Sequence, residues 1–379
     1  MSEFGIEEEF LLVDRHSLLP ARAKSSLQEV EDEVVSSSGE VCAEWLPGQI
    51  EFATPVLATA AEAFESLHTF RRRLSAAAQS RGLLAVGLGA APQIPEASLG
   101  VSDGSRYREF AELAPAIAAD QYVNGMHVHV DIPDREAGVR ALNGLRRWIP
   151  VLTALSANSP LWRGADSGFA SWRSIHYRRW VVFGIPPHFT DLDDYDAQVA
   201  AALRSDVVFD EATLGWLVRL SPKHTTVEIR TCDVQLDTET TLTLALLIRA
   251  LVDIAMDDPS ADSEPANLLD IAHWQAARFG LTGPLMDPET GMSAPAAAVV
   301  RKVFERAQPA LLRTHDADRV HHGLRRLLCQ GTGSEEQRGA MAGKGVWGLL
   351  EFAGHRLTAT SQDEPEYDAA ALRSVSDPP

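Results

Sequence analysis

Apolar and polar residues alternate along this chain at two periods. Segments of period two read as strands, because successive side chains of a strand point to opposite faces. In Gly5–Asp14, Ile6, Phe10, Leu11, Leu12 and Val13 surround three consecutive glutamates. Alternation places Glu7 and Glu9 on one face with Leu11 and Val13, and Glu8, Phe10 and Leu12 on the other. Glu40–Leu46 and Gln49–Pro55 flank Pro47-Gly48 and read as strand, turn, strand. There Gln49, Glu51 and Ala53 share a face opposite Ile50 and Phe52, and Glu44 stands just before the turn. Leu83–Leu88 reads as a buried strand. Asn124–Pro133 alternates strictly, with His127, His129 and Asp131 opposite Met126, Val128, Val130 and Ile132. Thr225–Asp233 puts Glu228, Arg230 and Cys232 on one face and Val227, Ile229 and Thr231 on the other.

Between these strands the period changes to that of a helix. Ser25–Ser38 turns Leu27, Val30 and Val34 inward and stops at Gly39. Ala58–Arg81 does the same with Phe64, Leu67, Phe70 and Leu74. Asp134–Ala157 is helical with a kink or break at Pro150. Residues 89–104 read as a loop, after which Arg106-Tyr107-Arg108 opens a helix whose start can face an anion. Ser171–Trp180 carries Arg173, His176, Arg178 and Arg179, either as surface charge or as a clamp for carboxylate or phosphate. Beyond Thr238 the pattern is mostly helical: Thr238–Met256, Ala266–Phe279, Ala294–Gln308, Asp316–Leu328 and Val346–Arg356. A single catalytic domain over 1–360 and a loose tail over 361–379 are expected.

Composition narrows the function. The chain has 379 residues, 45% hydrophobic and 23% charged, which is enough for a large core. A formal net charge of −19 argues against a nucleic-acid partner. It does not exclude a nucleotide, since Mg²⁺ and a few Arg screen phosphate. Three scattered cysteines support neither a disulfide framework nor a metal site, so a reduced, cytoplasmic chain is the default. Neither a signal peptide nor a membrane span is expected. No GxxxxGK[ST] or GxGxxG sits between a strand and a helix, so neither a P-loop nor a dinucleotide site is supported.

The inward acids are the chemical signal. Glu7 and Glu9, Glu51 with Glu44 before it, His127 with His129, and Glu228 with Arg230 lie on separate strands with helices between. Such an order suggests a curved sheet with a polar concave face and helices outside. Carboxylate oxygens with an imidazole suit Mg²⁺ or Mn²⁺ better than structural zinc. Several such cations held by glutamates are what phosphoryl transfer from ATP needs.

These segments resemble one family. Gly5–Phe10 looks like the first strand of glutamate–cysteine ligases, with two glutamates one residue apart. Glu44 through Pro55 resembles their second acid segment, Gly125–His129 their Gly-x-His strand, and Val227–Val234 their Glu-x-Arg-x-x-Asp strand. Ala157–Trp162 resembles the bacterial branch called type 2, or carboxylate–amine ligases. The likeness runs from about residue 4 to about residue 355. It implies an α+β, glutamine-synthetase-like fold, in which a curved, mainly antiparallel sheet forms a funnel with helices on its outer face. It implies Glu7, Glu9, Glu44, Glu51, His127 and Glu228 as the metal shell. Glu228 and Arg230 become the catalytic pair, and Arg230 and His127 the contacts to the nucleotide. His129 is expected to support the strand or line the pocket. The implied activity joins a carboxylate to an amine through an acyl phosphate, with release of ADP and phosphate. ATP and Mg²⁺ (Mn²⁺ as the alternative) are the cofactors. The partners are amino-acid substrates, with a homo-oligomer left open. One departure is the loop Trp45-Leu46-Pro47-Gly48, where many members of the branch are polar or basic. A metal-dependent hydrolase built on His127 and His129 is the competing class. It lacks a second strand-borne histidine cluster, since His321-His322 falls on the exposed side of a helix.

Overall fold

A computed structural model describes residues 2–22, 24–34, 39–96, 100–102, 105–258 and 264–360. At its centre is a seven-stranded sheet made of β1 (Phe4–Asp14), β2 (Glu40–Ala43), β3 (Gln49–Ala53), β4 (Leu83–Val86), β5 (Gly125–Asp131) and the strands Val218–Leu220 and Thr226–Asp233. The spatial order is Val218–Leu220, Thr226–Asp233, β5, β1, β3, β2. Leu11 pairs with Gln49 on one side and Val86 on the other, so β4 continues the edge of β1 that β5 begins. All seven strands pair antiparallel. This is the expected mixed fold with a mainly antiparallel sheet, and the sheet does not close into a barrel.

One face of the sheet carries the core. Phe10, Phe52, Met126, Val128 and Ile229 turn towards the helices Ala60–Gln79, Arg135–Leu145 and Thr238–Asp257. Phe52 and Phe70 stack with centroids 4.0 Å apart. The first of these helices starts at a capping box, in which Thr59 accepts from the Glu62 N–H and Glu62 reaches back to the Thr59 N–H. Pro150 marks a break, as expected: Arg135–Leu145 ends, a short 3₁₀ turn follows, and Ile149–Leu155 begins.

Several expectations need correction. Cys232 does not share the face of Glu228. A bulge between Ile229 and Cys232 inserts an extra residue, so Cys232 pairs with Met126 and enters the apolar core. Asp131 ends β5 exposed. The helix expected at Val346–Arg356 follows a kink with non-helical angles at Lys344 and Gly345, and a helical stretch from Gly333 that was not expected precedes the kink. Glycines at 333, 339, 343 and 345 removed the apolar period from that stretch. The helix expected at Ala294–Gln308 spans Ala296–Thr314 and continues through Pro309. A hairpin, Pro284–Met286 with Ser293–Pro295, precedes it. The first helix spans Lys24–Val34; residues 35–38, and the tail 361–379, lie outside the described residues.

Glu8 explains how three consecutive glutamates fit one strand. It points into the helical side and is fully buried. There Arg71 grips it with Nε at 3.0 Å and Nη2 at 2.5 Å, and the Thr241 hydroxyl donates at 2.7 Å. Arg71 also donates to the Gln235 and Leu236 carbonyls. One ion pair thus ties β1 to two helices and to the segment after the Thr226–Asp233 strand. Removing one partner of a buried pair leaves an uncompensated charge. Arg71→Met should therefore cost about 3–5 kcal/mol in equilibrium denaturation. Glu8→Leu with Arg71→Met should recover most of that loss. Equal midpoints for Arg71→Met and the parent would refute this role.

Candidate active site

The other face of the sheet lines a cavity of about 490 Å³. Register brings the acids together there. Glu9 on β1 stands opposite Glu51 on β3, and Glu7 stands opposite His127 on β5. His129 stands opposite Glu228. Glu44 follows β2 and reaches the same cavity. All seven residues predicted from the sequence, Glu7, Glu9, Glu44, Glu51, His127, Glu228 and Arg230, therefore line one space, and His129 joins them.

Hydrogen bonds fix their orientation. Glu9 Oε2 accepts from the Gly125 N–H at 2.6 Å. A side chain at Gly125 would strike the Arg173 guanidinium, because a Cβ there would lie 2.3 Å from Nη2. Glycine is thus required where strand and guanidinium meet. His127 Nδ1 lies 2.9 Å from Glu7 Oε2, and its Nε2 lies 3.9 Å from Glu9 Oε1. With Nδ1 donating to Glu7, the Nε2 lone pair faces the cavity. His129 Nδ1 lies 3.1 Å from the Thr226 hydroxyl. Its Nε2 lies 3.2 Å from Glu7 Oε1, but among the described residues this buried atom has no aligned hydrogen-bond partner.

Arg219 and Arg230 hold Glu228 between them. Arg219 Nε donates to it at 2.7 Å, and Arg230 donates to its Oε1. Arg219 is held in turn by the carbonyls of Glu211, Ala212 and Leu214. Arg219 was missed in the sequence; a lone Arg between Val218 and Leu220 was the available signal. The helix at 171–180 divides its cations. Arg173 is buried against the Thr231 and Arg230 carbonyls, whereas Arg178 pairs with Asp270 and Arg179 with Asp120 outside the cavity. Arg108 is exposed, and the side chains of Arg106 and Tyr107 lie outside the described residues. Asp233 closes the motif at the rear. It accepts from the Asn158 N–H and from the hydroxyls of Ser159 and Ser171, and so pins the Ala157–Trp162 segment to the sheet.

Electrostatics separate the carboxylates into two groups. Burial opposes charge on Glu7, but the hydrogen bond with His127 and the nearness of His129 Nε2 outweigh it and hold the carboxyl well below its usual range. Burial likewise opposes charge on Glu228, and the positive charges of Arg230 and Arg219 overcome it. For Glu44 and Glu51 the pull of Arg230 is outweighed. Burial, then the charge of Glu9, pushes Glu44 up to about 8. Burial, then Glu44, Glu7 and Glu9, pushes Glu51 well above the carboxylate range. A hard divalent cation fits this donor set. It would supply the positive charge that these carboxyls lack, and His129 Nε2 is an orphaned ligand atom. Glu7, His129 and Glu228 each offer one ligand atom, all within 4.8 Å of one another.

The glutamate–cysteine ligase family 2 model matches residues 3–352. The chain belongs to this family. Its chemistry is thereby that of the carboxylate–amine ligases, ATP-dependent enzymes that join carbon to nitrogen. It is 40% identical over 347 residues to the "Putative glutamate–cysteine ligase 2-2" of Saccharopolyspora erythraea, covering 90% of this chain and 88% of the relative. It is 37% identical over 337 residues to the "Putative glutamate–cysteine ligase 2-1" of Nocardia farcinica, covering 88% and 87%. In fold it resembles the glutamate–cysteine ligase of Francisella tularensis, solved in complex with AMP. The TM-score is 0.68 at 11% identity, over 99% of this chain and 91% of that one. A bifunctional glutathione synthetase from Pasteurella multocida gives a TM-score of 0.67 at 14% identity, over 94% and 52%. Nothing in these likenesses supports the hydrolase alternative. Among the described residues, no helix is long and apolar enough to cross a membrane.

The raised carboxyls make stability depend on pH. From the ordinary value of 4.5 up to about 8, folded Glu44 keeps a proton that the unfolded chain has released. Its stabilising contribution is complete below 4.5 and is lost as pH rises through about 8, and Glu51 acts in the same direction. In chelator-treated protein, Glu44→Gln with Glu51→Gln should raise Tm over the parent by a margin that widens from about pH 6 to about pH 9. Parallel Tm–pH curves for parent and variant would show that these two acids do not carry the protons.

Proposed function

We propose that this protein activates an amino-acid carboxylate with ATP as an acyl phosphate and then joins it to an amine, releasing ADP and phosphate. The observation that carries the reading is the meeting of Glu7, Glu9, Glu44 and Glu51 with Arg230 in one cavity. The names of the relatives suggest glutamate as donor and cysteine as acceptor, and AMP bound to the same fold in the Francisella structure supports a nucleotide here.

A carboxylate is a poor electrophile, because its leaving group would be oxide. In the first step a carboxylate oxygen bonds to the γ-phosphorus while the bond from that phosphorus to the β–γ bridging oxygen breaks, and ADP leaves. In the second step the amine nitrogen bonds to the acyl carbon, the bond to the phosphate oxygen breaks, and the nitrogen releases a proton. Such reactions require positioning and charge neutralisation more than covalent help. Glu7, Glu9, Glu44, Glu51, His127, His129 and Glu228 are the residues that would hold divalent cations, which neutralise phosphate charge when bound. Arg230 presents a planar guanidinium to the charge on the transferring phosphoryl group. Glu228 holds that guanidinium in place, and Arg219 holds Glu228. His127, whose Nε2 faces the cavity, would meet the phosphates of a bound nucleotide.

Glu51→Gln keeps the volume and removes one charge, so kcat should fall about a hundredfold or more at saturating Mg²⁺. Near-normal kcat in that variant would defeat the shared-site reading. Arg230→Lys keeps the charge but loses the planar fork, so kcat should fall more than ADP affinity. With the correct donor acid present, hydroxylamine should trap the acyl phosphate as a hydroxamate. ATP should yield ADP and phosphate; AMP with pyrophosphate in their place would overturn the mechanism.

A further inference from the structure

The cavity has a second wall, which the acid chemistry does not use. Trp45 follows Glu44 directly. Its ring meets Phe110 at 5.4 Å and Trp180 at 5.5 Å, and Phe110 meets Trp180 edge-on at 6.0 Å. All three line the cavity with the acids. The two indole N–H groups are already engaged: Trp45 Nε1 donates to the Ala118 carbonyl at 3.3 Å, and Trp180 Nε1 to Gln121 Oε1 at 3.1 Å. The rings therefore turn carbon, not donors, to the cavity. Leu113 and Val181 extend this wall while 41% and 42% exposed. Apolar surface left open beside a reactive centre marks a place where ligand carbon is buried.

Charge narrows the ligand further. Glu40 lines the same cavity and attracts an ammonium. Of the cations, Arg219 and Arg230 turn to Glu228 and Arg173 to backbone carbonyls, while Lys223 stands in the lining. Tyr177 links the two walls. Its ring stacks on Phe183 at 5.3 Å under the Arg173 guanidinium.

Building on the ligase reading, we propose that the Trp45–Phe110–Trp180 wall binds the apolar body of the amine acceptor. The preferred acceptors are accordingly amines that carry an aromatic or bulky alkyl group. Binding is tested apart from turnover. Phenethylamine and ethylamine are titrated calorimetrically into the whole chain with Mg²⁺ and ADP present, and ADP is titrated separately. Phenethylamine should bind at least tenfold more tightly than ethylamine. Trp45→Ala and Trp180→Ala should each remove most of that preference and leave ADP affinity within about twofold, where a tenfold change corresponds to 1.4 kcal/mol. Equal binding of the two amines to the parent overturns the proposal, and this comparison needs no variant to fold. Loss of ADP affinity in Trp45→Ala, in protein that retains its parent Tm, also overturns it, because the wall would then be the adenine site. Failure of the ligase reading is a different result: ATP would not give ADP and phosphate with any donor, whatever the amine binding showed.

Discussion

The ion pair between Glu8 and Arg71 sets the register of the whole site. Side chains alternate along β1, so fixing Glu8 on the helical side fixes Glu7 and Glu9 on the other. A slip of one residue would drive two acids into the core and bring Glu8 to the cavity. Such a slip would also leave Arg71 buried without a partner, at a cost comparable to total stability. The pair at the back thus specifies the chemistry at the front. β3 and β5 follow from it, because their pairing with β1 puts Glu51 beside Glu9 and His127 beside Glu7.

The sheet holds acids together that repel one another. Glu7 and Glu228 are stabilised as carboxylates by neighbouring histidines and arginines, whereas at Glu44 and Glu51 burial and the other acids outweigh Arg230. The arrangement persists because its side chains sit on paired strands, whose backbone hydrogen bonds do not depend on the charges. Sites of this kind trade folding stability for preorganisation.

Much of this was legible in the sequence, because strand alternation is a local rule. It placed Glu7, Glu9, Glu51, His127 and Glu228 on inward faces before any pairing was known. It failed at Cys232, where a bulge depends on how Thr226–Asp233 meets β5 and leaves no mark in the chain. It was also silent on partners far apart in sequence. Nothing near Arg71 announces Glu8, and Arg219 finds Glu228 only across a strand pair. His129 was expected to support the strand or line the pocket; it lines the pocket, and its ring reaches Glu7 as His127 does, because both share one face of β5. The aromatic wall was the least legible part. Trp45, Phe110 and Trp180 come from three separate segments and meet only in the folded chain.

Charge in the cavity explains how so acidic a protein can approach a polyanion. Glu228 takes up much of the positive charge of Arg219 and Arg230, so these guanidiniums offer direction more than net charge. Glu7 adds a further carboxylate, while Glu44 and Glu51 keep protons above the usual carboxylate range until a cation replaces them. A triphosphate entering it alone would meet repulsion at close range, in a setting where water screens little. On the proposed mechanism, divalent counter-charge serves nucleotide entry as well as the reaction. Carboxylates in the lining also draw in a protonated amine, which must shed its proton before it can attack, and on the proposed reading the apolar wall beside Glu44 adds a second criterion by which the amine is chosen.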